Sequence, residues 1–131
     1  MNQPQALIPA VAWNFAAKTP ENAAFVRDYQ ATFHREPDYH SAANYSAMHV
    51  FAAAIKQAGS INQEKIRDAL ATIRVPTLVG TYRVNPANGI QLGYTSYIIQ
   101  WQNGKQEIVY PGNVATAKPL VPFPAWSSPN R

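Results

Sequence analysis

Residues 93–112 read GYTSYIIQWQNGKQEIVYPG. Tyr94 to Trp101 is rich in β-branched and aromatic residues, Asn103-Gly104 follows, and a second run, Lys105 to Tyr110, ends at Pro111-Gly112. Asn-Gly tolerates the positive φ that both centres of a type I′ turn need, and the twist of that turn matches the twist of paired strands. The stretch therefore predicts an antiparallel hairpin. Thr95, Tyr97, Ile99 and Trp101 alternate onto one face, and Ser96, Ile98, Gln100 and Gln102 onto the other. Ile98 spoils a clean apolar/polar division, so both faces are expected to be covered. A lone hairpin is marginal in water, so the rest of the chain, or something outside it, must supply the cover.

Working upstream, Asn85-Pro86-Ala87-Asn88-Gly89 predicts a turn, and residues 77–84 predict a strand broken by Gly80. Asn62 caps a helix over about 63–73, with Ile66, Ala69, Leu70 and Ile73 inward, and Pro76 ends that element. Ile61 and Ile66 have the positions of a hydrophobic staple. An earlier helix over about 42–58 is capped by Ser41 and closed by Gly59. Tyr45, Met48, Ala52 and Ile55 form one apolar stripe on it; Ala47, Phe51, Ala54 and Ala58 form a second. So wide an arc predicts burial on two sides. The first helix begins at Thr19-Pro20-Glu21, where Thr caps, Pro has no N–H to waste and Glu suits the positive end. It aligns Phe25, Tyr29 and Phe33, and stops near His34-Arg35 because Pro37 disfavours helical geometry at Glu36.

The two ends are expected to be extended. In the lead-in, Leu7-Ile8 and the 11–13 run are the apolar groups, and Trp13 and Phe15 are placed to cap a core edge. Downstream of the hairpin, prolines at 111, 119, 122, 124 and 129 exclude a central strand. Leu120, Val121, Phe123 and Trp126 predict that this tail lies against a body. The chain thus divides into a lead-in (1–18), a three-helix segment (19–75), a strand plus hairpin (76–112) and a Pro-rich tail (113–131).

Composition narrows the function. At 131 residues the chain is one ordinary domain or part of a larger one. Apolar residues make up 47% and charged residues 14%, the latter well below the usual ~25%. So low a charge density predicts that some of the surface faces another part of a protein. The net charge of +4 comes from scattered Lys and Arg with no basic run or helical face, which argues against nucleic acid as a partner. The absence of cysteine excludes disulfides, thiolate metal sites and cysteine nucleophiles. The opening MNQPQALIPAVAW has neither the basic start nor the long apolar core of a signal peptide. No run approaches the ~18 apolar residues of a membrane span.

Catalytic and metal patterns are equally absent. His34, His40 and His49 make no compact ligand spacing. Glu36 and Asp38 share a short segment without a defined acid/base separation. No nucleophile elbow surrounds Ser41. No enzyme and no cofactor is therefore expected. Glu36-Pro37-Asp38-Tyr39-His40 reads as a loop entering a helix N-terminus, where ligand groups are often held, and this makes His40 and its neighbour Tyr39 worth weighing.

The succession of motifs resembles the C-terminal part of a type I periplasmic solute-binding protein, and within it the branched-chain amino acid (Leu/Ile/Val) binding family of ABC importers. Residues 19–33 resemble that family's FxxxYxxxF helix, which is usually followed by Gly where His34 stands. Glu36-Pro37 matches its x-P loop. Residues 42–47 resemble an AAxAYDA helix start, with Ser46 in place of the common Asp. Residues 54–60 resemble an AIxxAGS ending. The IxxAL helix at 66–70, the Gly80 strand, the Asn88-Gly89 turn and the QWxNGKxxxVxP hairpin follow in order. The resemblance spans about 13–126.

It implies an α/β fold of two lobes joined by three crossovers, with ligand in the cleft between them and this chain as roughly the last third. The helices at 41–73 would belong to one lobe and the hairpin to the other. The Ser/Thr-rich loop that grips a ligand's α-carboxylate, and the parallel sheet, would lie in a missing N-terminal part of the same protein. Asp38, Tyr39 and His40 would stand where family members contact the ligand side chain. The implied role is periplasmic: capture of an amino acid or a related aromatic or aliphatic carboxylate for an ABC permease. The chain alone is expected to lack most of the cleft and to associate, either as a homo-oligomer or with the missing part. Two alternatives are a ligand-sensing regulatory module of the same fold and a small α+β enzyme using Tyr39, His40 and Asp38.

Overall fold

Residues 9–94 and 96–122 are described by a computed structural model. The parts assigned above to Leu7-Ile8, Thr95, Phe123 and Trp126 lie outside the described residues. The lead-in is not wholly irregular. Ala10–Val11 forms a short strand, β1, and Asn14 turns the chain toward the first helix by accepting from the Ala17 N–H at 3.1 Å. Trp13 is buried, as a core-edge residue should be, whereas Phe15 is exposed.

Helix α1, Pro20–Phe33, starts where the sequence indicated. The Thr19 side chain accepts from the Asn22 N–H. At the other end His34 adopts a left-handed conformation (φ 54°) and its N–H bonds Gln30 O. That conformation suits glycine best, in keeping with the glycine that the resemblance leads one to expect there. The Phe25, Tyr29 and Phe33 rings stack in sequence at 5.8 and 4.6 Å, but only Phe25 is buried.

Helix α2, Tyr39–Ala58, corrects two expectations. It is capped by Asp38, whose carboxylate accepts from the Ser41 N–H, so Ser41 is not the cap. Tyr39 and His40 therefore occupy the first helical turn rather than a loop. Asp38 wins because the buried Pro37 ends the extended approach one residue before it, leaving Asp38 as the first residue with a capping oxygen. The second correction concerns the buried side. Ala42, Ser46, Val50 and Ala54 recur every four residues and form the buried stripe. Tyr45, Met48 and Phe51, assigned above to two covered stripes, are exposed, Met48 by 64%.

Helix α3 runs Gln63–Leu70, shorter than expected, with Asn62 capping the Glu64 and Lys65 N–H groups. Ile66, Ala69 and Ile73 are buried as predicted. Ile61 is 85% exposed and forms no staple with Ile66. The single strand foreseen over 77–84 is instead a small hairpin. β2, Val75–Thr77, pairs antiparallel with β3, Gly80–Tyr82. Its turn residues Leu78 and Val79 pack onto the cluster of Trp13, Phe25 and Ala42, and the turn chemistry comes from its flanks: the Thr77 hydroxyl accepts from the Val79 N–H at 3.3 Å and donates to Gly80 O, and Gly80 takes φ 109°. Pro76, expected to end α3, lies inside β2.

The 85–89 turn is present, closed by Gly89 N–H to Asn85 O at 2.7 Å. β4, Tyr97–Gln102, and β5, Lys105–Tyr110, form the predicted hairpin. Asn103 (φ 51°) and Gly104 (φ 76°) both take the positive φ of a type I′ turn. β1 adds to β4, giving an antiparallel sheet in the order β1-β4-β5. Tyr97, Ile99 and Ile108 pack with Ala17 into one cluster. The other hairpin face is covered by polar means. Gln100, fully buried, donates to Leu120 O at 3.1 Å and accepts from the Leu120 N–H at 2.9 Å. Gln102 donates to Lys118 O at 2.8 Å. The described part of the tail, to residue 122, does lie against the body, but these amides hold it, while Leu120 and Val121 are exposed.

Candidate functional site

A cleft of about 630 Å³ opens between the lead-in, the start of α2 and the hairpin. That volume is in the range of small-ligand sites. One wall is residues 9–15, another is residues 36–39, and the remaining lining is Tyr94, Ile99, Trp101 and Gln106.

The lead-in wall is held from behind by Asn22, which is 2% exposed. Its Oδ1 accepts from Trp13 Nε1 at 2.6 Å. Its Nδ2 reaches the carbonyls of Ala17, Phe15 and Asn14 at 2.9, 3.0 and 3.3 Å. The Trp13 ring meets Phe25 edge-on at 6.0 Å. Asn14 spans to the hairpin, donating from Nδ2 to Gln106 Oε1 at 2.9 Å. Lead-in and hairpin therefore form one continuous surface.

The second wall carries the predicted site residues. Asp38 uses Oδ1 for both the N–H and the hydroxyl of Ser41, at 2.7 and 2.8 Å. The Ser41 hydroxyl also lies 3.1 Å from that of Tyr29. The backbone and then the side-chain hydrogen bond from Ser41 hold the Asp38 carboxyl below the usual carboxylate range, so it is an anion at neutral pH. Tyr39 lines the cleft and is 47% exposed. His40 does not line it; its ring stands 5.4 Å from that of Tyr39 at a steep angle. The structure thus brings Asp38 and Tyr39 to one cleft and leaves His40 behind them.

Among the lining residues that escaped the sequence reading as site residues are Asn14, Tyr94, Trp101 and Gln106. Tyr94 and Trp101 read as hairpin packing. The one available signal at Asn14 was a polar residue set between Trp13 and Phe15. Among the described residues no group of three His, Asp or Glu could hold a metal ion, and no helix is long and apolar enough to cross a membrane.

Comparison with known proteins bears on this arrangement. Residues 4–106 match the model of the periplasmic binding protein family. A putative branched-chain amino acid ABC transporter from Rhodospirillum rubrum is similar with 24% identity and a TM-score of 0.68, over 78% of this chain and 30% of that one. A leucine binding protein from Thermotoga maritima is similar with 23% identity and a TM-score of 0.63, over 79% and 30%. A solute binding protein of an ABC transporter from R. palustris, in complex with benzoate, is similar with 18% identity and a TM-score of 0.67, over 80% and 29%. The chain thus spans roughly 30% of the length of these structures.

Proposed function

Because the chain belongs to the periplasmic binding protein family, we propose that it is part of the solute-binding component of an ABC-type importer, working in the periplasm and handing its ligand to a permease. The observation that carries this reading is the family match over residues 4–106. The ligand class is an amino acid or a related small carboxylate, a choice supported by the leucine binding protein and the benzoate complex among the similar structures. The role is capture without chemistry.

In this reading α2 and α3 belong to one lobe and the β1-β4-β5 sheet to the other. The 630 Å³ cleft is the share of the binding site that these residues contribute. Ligand touching both sides shifts the population toward a closed form, because only that form makes both sets of contacts. Tyr39 meets the ligand. Asp38 orients the turn that carries Tyr39, and His40 backs its ring. The residues that grip the ligand's carboxylate lie outside this chain.

Isothermal titration tests the proposal. The intact protein that carries these residues should bind at least one member of a panel of amino acids and aromatic carboxylates, and the 131-residue chain should bind the same compound far more weakly. Tyr39→Ala should weaken binding more than His40→Ala. An intact protein that takes up none of the panel would sink the reading. Tight binding by the short chain would show instead that the cleft is already sufficient.

A further inference from the structure

On the reading that this cleft receives the ligand, we propose that Gln106 is a specificity-determining residue. Its amide nitrogen donates to an uncharged oxygen of the ligand, a carbonyl, ether or hydroxyl oxygen remote from the carboxylate. The inference starts at a backbone group whose role is fixed. The Ala16 N–H can only donate, and it lies 2.9 Å from the Asn14 side chain, so the atom it meets must be Oδ1. The other end of that amide is then Nδ2, which also can only donate. It lies 2.9 Å from the Gln106 side chain, which must answer with Oε1. What Gln106 has left to offer is Nε2. One backbone N–H thus sets two side-chain amides in turn.

Asn14 is held firmly enough to transmit this choice. It is 3% exposed, and its carbonyl accepts from the Ala17 N–H and from Asn22 Nδ2. Gln106, by contrast, is half-buried and lines the cleft. Among the described residues no acceptor meets its Nε2. Trp101 stands opposite Gln106 in the β4–β5 register and lines the same cleft, so a flat apolar surface flanks the donor.

The other wall has the opposite chemistry. Glu36 and Asp38 line it. Asp38 is held ionised by its Ser41 hydrogen bonds first and by the charges of His40 and Arg35 after them, and an ionised carboxylate only accepts. The Tyr39 and Tyr94 hydroxyls can take either role. Gln106 is therefore the lining amide committed to donating and still open to a ligand. A ligand that covers this donor without offering an acceptor strips it of water and returns nothing, which is how such a group rejects an apolar analogue of similar size.

Para-acetylbenzoate and para-isopropylbenzoate test the assignment. They are close in size, equal in charge, and differ in having or lacking a carbonyl acceptor. In titrations of the isotope-labelled 131-residue chain followed by nuclear magnetic resonance, the acetyl compound should bind roughly three- to tenfold more tightly, the scale of one neutral hydrogen bond. It should also move the Gln106 side-chain amide resonance, which the isopropyl compound should move far less. Gln106→Glu keeps the acceptor that Asn14 needs and removes the donor, so the preference should vanish, while the added charge weakens both probes alike. Asn14→Asp acts from a distance. With an oxygen at each end, position 14 accepts from Ala16 and from Gln106, which then turns its Oε1 to the cleft. The acetyl preference should disappear although position 106 is unchanged. Circular dichroism checks the fold of both variants, and a merely structural role would weaken both probes without altering their ratio. Equal binding of the two probes by the parent chain, an unmoved Gln106 resonance, or a ratio that survives both substitutions would overturn the inference. If the intact protein captures a carboxylate while this chain shows no acetyl preference, the inference fails and the importer reading stands. If the preference is present but the intact protein captures nothing from the amino acid and carboxylate panel, the reverse holds.

Discussion

Asn22 is a single amide that organises the lead-in from Trp13 to Ala17. It sits in the first turn of α1, yet its partners are the Trp13 indole and three carbonyls of the lead-in. Replacing it by alanine strands a buried indole N–H and leaves carbonyls without their donor. Each such group costs about 1–3 kcal/mol, so Asn22→Ala is expected to lower stability by roughly 2–4 kcal/mol in urea denaturation. Asp38 acts differently, through charge. The hydrogen bonds from Ser41 lower its folded pKa below the unfolded one, so its contribution is fully present above the unfolded pKa and disappears as pH falls through the folded one. Asp38→Ala should therefore lower the melting temperature at about pH 7, and the gap from the parent chain should shrink well below about pH 4. A gap that stays constant across that window would contradict the assigned role. Neither residue was legible as it functions. Asn22 looked like one more first-turn residue because its partners depend on where the lead-in folds. Asp38 and Ser41 are both good caps, and only the path through Pro37 decides between them.

At the level of elements, local chemistry was the readable part. The β4–β5 turn needs only Asn103 and Gly104, adjacent in sequence, and was visible for that reason. The β2–β3 hairpin turns on Leu78 and Val79, which carry no turn signature themselves; the Thr77 hydroxyl and Gly80 at φ 109° flank them, and a distant apolar cluster holds them. β1 is two residues long, too short for any alternation to register. Two glycines separate conformation from space. Gly59 closes α2 with φ 58° and has open space around a would-be side chain. Gly59→Ala should cost about 1 kcal/mol, the price of a left-handed alanine. Gly93 is different: an added Cβ would come within 2.0 Å of the Thr81 carbonyl oxygen. Gly93→Ala must push the 93–94 backbone away from β3, where Tyr94 bridges to Gly80. Its loss of stability, measured by the same denaturation series, should clearly exceed that of Gly59→Ala. Equal losses would mean that this close approach is not maintained in solution.

For the whole molecule, the decisive feature is what α2 leaves uncovered. Its buried stripe is made of small residues, while Tyr45, Met48 and Phe51 face outward. The sequence showed the width of the apolar arc but not which part of it this chain would use. That depends on neighbours a single sequence cannot position. The low charge content had pointed the same way. An apolar face of this kind favours association. The chain is expected to self-associate with rising concentration in sedimentation experiments, and Phe51→Lys should shift it toward monomer. A monomer at all concentrations, with Phe51→Lys indistinguishable from it, would refute that expectation.

The tail illustrates a different economy. Gln100 grips Leu120 by its N–H and its carbonyl, and the Leu120 side chain takes no part. The grip reads a peptide unit and is blind to the letter written there. Position 120 is thus free to drift among side chains and accepts a dye or a crosslinker on a substituted cysteine, in a chain that has no other. Proline is the exception, because it has no N–H to offer.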